Sequence, residues 1–469
     1  MMNFRSYPSM TKCIIPNNVT LTNNNFFGRF HSMNNLVSVE IPNSVTNMNN
    51  TFYNCKSLMG SPVCGDNVID MTNAYVWCHS LTGSPVCGNN VTIMTQAYKD
   101  CQNLTGQPAC GDKVTNMINT YLNCRNLTGT PVCGDSVVNM RGAYFQCFNL
   151  TGSPTCGEKV TTMDSAYWGC CRLTGEPVCG PNVSYMNSTY HSCNNMTGSP
   201  VCGDKVRSLY NTYYECRNLT GQPVCGPNVI NMSYTYYNCR NLTGSPVCGE
   251  KVTILWNTYA SCRNLTGSPV CGEQVVNMES TYNGCVNLTG APVCGSSVTG
   301  MGMAYYDCSK LTGSPVCGDK VVNLAYTYYN CRNLTGNPVC GINVTNMTNT
   351  YGNCFNLTGA PVCGGNVTNM SNAYINCVNI GANAYFYSSK IQNVRNCFGG
   401  KNISNMLNIY LPSNSTSLST CLQVTSYSIV GQTITWTNDT ANGCYYNTEY
   451  NIYMYPVDDV AAARTANGD

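Results

Sequence analysis

Proline recurs at positions 62, 85, 108, 131, 154, 177, 200, 223, 246, 269, 292, 315, 338 and 361, fourteen times at a period of 23 with no insertion or deletion. Each copy sits in a unit of the form Leu-Thr-Gly-x-Pro-Val-Cys-Gly-x-x-Val-x-x-Met-x-x-x-Tyr-x-x-Cys. A fixed period in the twenties is the sequence form of a solenoid, in which each repeat makes one coil and buries its apolar face only by stacking on the next. Length alone would suggest two or three ordinary domains for 469 residues. The repeat overrides that estimate, because a solenoid grows in one dimension without enlarging a single core.

One copy shows what the unit dictates. From Leu242 to Cys262 the recurrent positions are Leu242, Pro246, Val247, Cys248, Gly249, Val252, Leu255, Tyr259 and Cys262. From Val252 onward the apolar spacing is three or four, which predicts a short helical or 3-10 turn. Gly244 breaks it, and Pro246-Val247-Cys248 reads as a short extended stretch closed by Gly249. Proline has no backbone donor, so Pro246 belongs at the first residue of that strand. The expectation is an α/β repeat solenoid with one short parallel strand and one short helical turn per coil, and capped ends. The Tyr column, Tyr75, Tyr98, Tyr121 and on to Tyr374, is read as core, its hydroxyls needing a partner such as a backbone carbonyl.

The second coil reads Leu36-Val37-Ser38-Val39-Glu40-Ile41-Pro42-Asn43-Ser44-Val45-Thr46-Asn47-Met48, followed by Phe52, Cys55 and Leu58. This resembles the BspA-like leucine-rich repeat family, whose units look like Leu-x-x-Ile-x-Ile-Pro-x-x-Val-x-x-Ile-x-x-x-Ala-Phe-x-x-Cys-x-x-Leu. The resemblance is close in this coil and holds in period over roughly residues 10–410. Later coils replace Phe by Tyr, Ile by Met, and the strand's Ile-Pro by Cys-Gly. What the resemblance implies is a right-handed leucine-rich-repeat coil and, as the family's usual role, surface adhesion and host attachment. One fold hosts many functions, so the role has to be sought in the variable residues.

The 34 cysteines fall mostly into two columns, Cys55, Cys78 and on to Cys377, and Cys64, Cys87 and on to Cys363. Two readings stay open. Buried thiols pack as small hydrophobes, and the resembling family carries the first column in ordinary repeats. Alternatively each coil holds a disulfide, as in Cys55–Cys64 or Cys239–Cys248, with Cys64–Cys78 fitting the counts about as well and the same choice recurring at Cys87. No Cys-x-x-Cys occurs, and no metal or cofactor is expected.

Two further columns vary where the rest repeats. One carries Phe145, Trp168, His191, Tyr214, Tyr237, Tyr306 and Tyr329, and the position after Cys carries Arg217, Arg240 and Arg263 among others. Solvent exposure alone would free them to vary. As a ligand face, the rings and the guanidinium groups suit a cell-surface glycan or protein receptor. Asn103 and its copies match the N-glycosylation pattern, but Asn and Thr there equally serve a turn.

The remaining features bound the function. Net charge is +2 and charged residues are 9%, so no basic stripe exists to hold nucleic acid. No apolar run is long enough to span a membrane. Met1-Met2-Asn3-Phe4-Arg5-Ser6-Tyr7-Pro8 has no apolar signal segment. Three scattered histidines and sparse acids give no catalytic constellation, so no enzyme is expected. Residues 1–33 read as an N-terminal cap with a strand at Cys13-Ile14-Ile15-Pro16, 34–412 as the solenoid, and 413–469 as a β-rich cap or attachment segment. In that last segment Leu422 to Trp436 reads as a hairpin, Tyr450 to Tyr455 as a strand, and Val457 to Ala466 as a short helix. The leading expectation is a recognition or adhesion protein at a virion or extracellular surface, such as a phage tail or fibre receptor-binding component. It would work alongside other virion or surface-assembly proteins and could form a homo-oligomer. The competing expectation is a structural spacer, decoration or filament subunit with no ligand.

Overall fold

The computed structural model describes residues 4–15, 25–400 and 406–469. Pro16, which begins the irregular spacing to Pro42, and residues 401–405 of the degenerate coils lie outside the described residues. The chain forms two compact units, Met1–Leu242 and Thr243–Asp469.

The first unit opens with a 3-10 turn, Phe4–Ser6, and two parallel strands, β1 (Lys12–Ile14) and β2 (Ser38–Glu40), with Cys13 opposite Val39. The coils that follow are stacked in parallel, joined by single-residue bridges such as Asp70 to Ile93 and Ile93 to Asn116. Val68, Met71, Tyr75, Cys78 and Leu81 of one coil are buried, as are their copies. The rings of Phe30, Phe52, Tyr75, Tyr98, Tyr121, Tyr144, Tyr167, Tyr190, Tyr213 and Tyr236 stack one on the next at 5.1–5.6 Å. Burying each such side chain is worth about 1.5–3 kcal/mol, so the column is a principal source of cohesion.

The helical expectation is met only in part. Ala74 N–H bonds Met71 O and Cys78 N–H bonds Tyr75 O, which are i→i+3 turns, yet no helix propagates. The reason is a left-handed residue at every coil's Asn73 and Trp77 positions, with φ of 55° and 62° in these two cases. A left-handed residue cannot continue a right-handed turn. It points its own N–H outward instead, and Asn73 N–H reaches Thr95 O while Trp77 N–H reaches Lys99 O of the next coil. Local turns and coil-to-coil bonds therefore alternate along one segment.

The expected Pro-Val-Cys strand is not formed in the repeated coils of this unit. Stacked prolines remove the ladder donors, and the buried tyrosine takes over. Tyr144 Oη accepts from Val132 N–H at 3.1 Å and donates to Val132 O at 2.6 Å. The same clamp recurs at Tyr98, Tyr121 and Tyr167, always twelve residues on. Where the column holds Phe52, the residue twelve earlier is Glu40, and it lies in β2. Phenylalanine has no hydroxyl, and there the strand ladder satisfies the backbone instead.

Both repeated glycines are explained by close approach. A Cβ on Gly175 would lie 2.0 Å from Ser153 Oγ and 2.6 Å from Ser153 Cα, because the residue before each proline covers the next coil's glycine. A Cβ on Gly88 would meet Gly65 O at 2.7 Å and Cys64 Sγ at 3.2 Å.

The second unit repeats this coil, with Tyr259, Tyr282, Tyr305, Tyr328, Tyr351, Tyr374 and Phe398 stacked at 5.5–5.6 Å. Here the last coils do form strands. β3 (Val362–Cys363), β4 (Asn383–Phe386), β5 (Leu407–Pro412), β6 (Thr437–Asp439), β7 (Cys444–Asn447) and β8 (Ile452–Val457) make a sheet of order β3-β4-β5-β8-β7-β6. Pairing is parallel as far as β8 and antiparallel beyond. The Phe rule holds again, since the residue twelve before Phe398 is Phe386 in β4. Helix α1 (Thr416–Cys421) is capped by Ser415, and α2 (Val460–Ala466) by Asp459.

Leu422 to Trp436 is not the expected hairpin. Ser428 O and Ile429 O accept from Asn396 N–H and Phe398 N–H, so this segment serves the last coil as a further coil would. The antiparallel pair is β6 with β7, just beyond it. The Asp469 carboxylate accepts from Asn383 Nδ2 at 2.7 Å and Tyr385 Oη at 2.6 Å, which fastens the final residue to β4.

Candidate functional site

The first variable column becomes a surface row of rings. Phe145 and Trp168 stack at 4.5 Å, Trp168 and His191 at 5.0 Å, His191 and Tyr214 at 4.5 Å, and Tyr214 and Tyr237 at 4.7 Å. Every one of these side chains is half-buried. Coil stacking places them, because each occupies the same coil position directly after a buried Tyr. Their faces cover one another at interplanar angles of 5–26°. What solvent meets is ring edge and phenol hydroxyl.

A ring that the sequence did not single out completes the row. Tyr234 lies 6.2 Å from Tyr214 and 5.9 Å from Tyr237, tilted by 51° and 54°. Tyr210, 40% exposed, meets Tyr234 edge-on at 6.4 Å. Tyr234 has φ +56°. Its column otherwise holds Asn, Ser, Gln and Gly, with Met303 and Tyr326 the other exceptions. Bulky residues are strained in that conformation, at about 1–2 kcal/mol each, so a tyrosine is kept there against a local cost. A second row near the start comprises His31, Tyr53 and Trp77: centroids are 4.7 and 5.1 Å apart, and Trp77 Nε1 donates to Asp100 at 3.1 Å.

Polar side chains flank the main row. Arg217 pairs with Glu215 at 3.2 Å, Asn238 Nδ2 donates to Glu215 at 3.4 Å, and Arg240 Nε donates to Asn238 Oδ1 at 2.8 Å. Both arginines are exposed. Burial lowers the pKa of His191, with the Glu215 carboxylate acting against that. His191 is thus a neutral ring between Trp168 and Tyr214 near neutral pH.

In the second unit Tyr306 and Tyr329 stack at 5.2 Å, with Tyr326 at 6.3 and 5.9 Å. Asn330 Nδ2 donates to Asp307 at 2.6 Å. Arg332 lies 5.8 Å over Phe355, and Arg263 is exposed.

All cysteines are free thiols, and the disulfides weighed at Cys55–Cys64, Cys64–Cys78 and Cys239–Cys248, with their counterpart at Cys87, are not formed. The two columns have separate work. Cys55 Sγ donates to Phe30 O at 2.8 Å and Cys78 Sγ to Phe52 O at 3.0 Å, each a carbonyl of the preceding coil. Cys64 and its copies line the other side, where Gly111 N–H donates to Cys87 Sγ at 3.2 Å. Burial pushes the Cys55 thiol up to about 12 and the Cys64 thiol up to about 11. Thiols so protonated are poor nucleophiles and poor metal ligands. Among the described residues no group of three or more His, Cys, Asp or Glu could hold a metal, and no helix is long and apolar enough to cross a membrane.

The Asn-Leu-Thr turns do form polar ladders. Asn103 Nδ2 donates to His79 O at 2.8 Å, and Asn149 Nδ2 to Asn126 Oδ1 at 3.4 Å, in each case on the coil before.

No protein-family model matches the chain, and no curated protein matches it. Among solved structures, similarity extends to a leucine-rich repeat protein from Bacteroides ovatus, at 16% identity and TM-score 0.41 over 86% of this chain and 87% of that one. A leucine rich cell surface protein from Faecalibacterium prausnitzii gives 17% and 0.37 over 70% and 87%. The functional domain of InlJ from Listeria monocytogenes, which includes a cysteine ladder, gives 10% and 0.23 over 88% of each chain. The fold assignment stands on the coil itself: parallel 23-residue turns around a stacked core in each unit make this chain a leucine-rich-repeat solenoid.

Proposed function

We propose that the protein is a non-enzymatic recognition or adhesion protein of the BspA-like kind, and that the surface row Phe145, Trp168, His191, Tyr214 and Tyr237 with Arg217 and Arg240 is its contact face. One observation carries this reading. A tyrosine is retained at the strained Tyr234 position where it joins that row, although the column elsewhere is filled mostly by residues that tolerate the conformation. Tyrosine, tryptophan and arginine are the residue types that dominate binding energy at interfaces. In its finer form the proposal places the protein at a virion or extracellular surface, as a phage tail or fibre component that engages a host receptor. The low charge and the tyrosine- and asparagine-rich composition support that form.

The test is attachment of the purified chain to whole cells and to arrayed glycans and proteins. Trp168→Ala combined with Tyr214→Ala should abolish attachment while the circular dichroism spectrum is retained. Unchanged attachment would remove this face from the function, and no attachment by the unaltered chain would favour the spacer role.

A further inference from the structure

The tyrosine cluster occurs twice. Tyr214, Tyr234, Tyr237 and Arg240 in the first unit correspond, one for one and four 23-residue repeats further along the sequence, to Tyr306, Tyr326, Tyr329 and Arg332 in the second. The geometry is reproduced as well as the residues. The stacked pairs are 4.7 and 5.2 Å apart, and the third ring lies 6.2 and 5.9 Å from its partners in one unit, 6.3 and 5.9 Å in the other. Both third rings, Tyr234 and Tyr326, sit at positive φ, 56° and 57°. In both clusters an asparagine amide holds the neighbouring carboxylate, Asn238 on Glu215 and Asn330 on Asp307. The arginine that follows is exposed in both.

We propose that each chain carries two equivalent docking sites, one per unit, and that each takes an extended acidic segment of a polypeptide. This rests on the recognition role proposed above and names its ligand class. The chemistry follows from what each cluster leaves open. The facing sides of the stacked pair cover each other, so what each pair presents is mainly ring edge and hydroxyl. Ring edges carry the positive end of the aromatic quadrupole. Phenol hydroxyls and the guanidinium of Arg240 or Arg332 add donors beside them. The nearby Glu215 and Asp307 are engaged by asparagine, and Glu215 by Arg217 too. The open side is thus rich in hydrogen-bond donors, which match backbone carbonyls and carboxylates.

The test uses the full chain and a fluorescein-labelled glutamate-rich peptide, followed by anisotropy and calorimetry, with polygalacturonate and a lysine-rich peptide as competitors. Two peptides should bind per chain, more weakly as salt rises, and neither competitor should displace them. Tyr234→Asn or Tyr326→Asn should each remove one site, and the double variant both. Asparagine suits the backbone there, so the thermal midpoint should hold or rise while binding falls, a pattern that a merely structural tyrosine would not give. Arg240→Ala should weaken the first site about tenfold, as loss of an interface arginine does. One peptide per chain, unaltered binding by the double variant, or displacement by polygalacturonate would each overturn the inference. If attachment to cells needs Trp168 and Tyr214 while the glutamate-rich peptide neither binds nor competes, the ligand class falls and the recognition role stands.

Discussion

Tyr144→Phe isolates the hydroxyl clamp. The substitution keeps the ring in its stack, 5.4 Å from Tyr121 and 5.5 Å from Tyr167, so the buried apolar area is nearly unchanged. What is lost is the pair of bonds to Val132 N–H and O. A neutral hydrogen bond contributes about 0.5–1.5 kcal/mol net, so two give about 1–3 kcal/mol. Water can restore part of that, because Val132 is half-buried. Strand pairing cannot restore the rest, because Pro108, Pro131 and Pro154 interrupt the ladder on all three coils. The assay is urea denaturation with amide exchange. Tyr144→Phe should lower stability by about 1–3 kcal/mol, with the Val132 amide losing protection first. Tyr214→Phe, on the surface, should leave both unchanged. If Tyr144→Phe stays within about 0.5 kcal/mol of the parent, the range of an ordinary surface change, and Val132 keeps its protection, the tyrosine hydroxyl does not hold the extended segment.

Three more outcomes follow from the geometry. Alkylation of the unreduced, denatured chain should modify all 34 cysteines, whereas in the native state Cys78 and its copies should stay unmodified; mass spectrometry reads both, and any disulfide-linked peptide refutes the first. Gly175→Ala should cost about 1–3 kcal/mol by overpacking against Ser153, measured by denaturation. His191 should titrate below the ordinary histidine value in a proton NMR titration, and lower again in Glu215→Gln, which removes the opposing carboxylate. With its folded-state pKa depressed, neutral His191 favours the fold above the unfolded value near about 6.5, and that contribution is lost as pH falls through the folded value.

The columns were legible because solenoid stacking turns a period into a set of neighbours. Tyr75 and its copies could be read as core, with the hydroxyl on a backbone carbonyl, from position alone. The alternation of turns and coil-to-coil bonds was not legible. It depends on positive φ at two positions per coil, held mostly by Asn, Ser, Asp or Gly, which tolerate that backbone without requiring it, and in places by Trp77, Glu215 or Tyr234, which do not announce it. Tyr234 stands in one of these columns, whereas Tyr214 and Tyr237 directly follow a buried Tyr whose period marks them. The row of rings was visible as residue type, but its edge-on presentation was not, because only the coil spacing decides whether neighbouring rings cover each other. Leu422 to Trp436 has a hairpin's alternation, yet the open amides of Asn396 and Phe398 claim its carbonyls first.

The clamp between Tyr144 and Val132 closes within a single coil, twelve residues apart. The backbone bonds that leave a repeated coil end on a backbone group that the neighbouring copy supplies in the same place. Excising one whole period, or duplicating it, therefore leaves the backbone bonding pattern of the repeated coils in register. Gene segments of this length can slip in or out while the product still folds, which makes the number of coils a quantity that selection can adjust directly. The variable rings ride on those coils, so a change in number also resets how many contact positions a lineage presents and in what order.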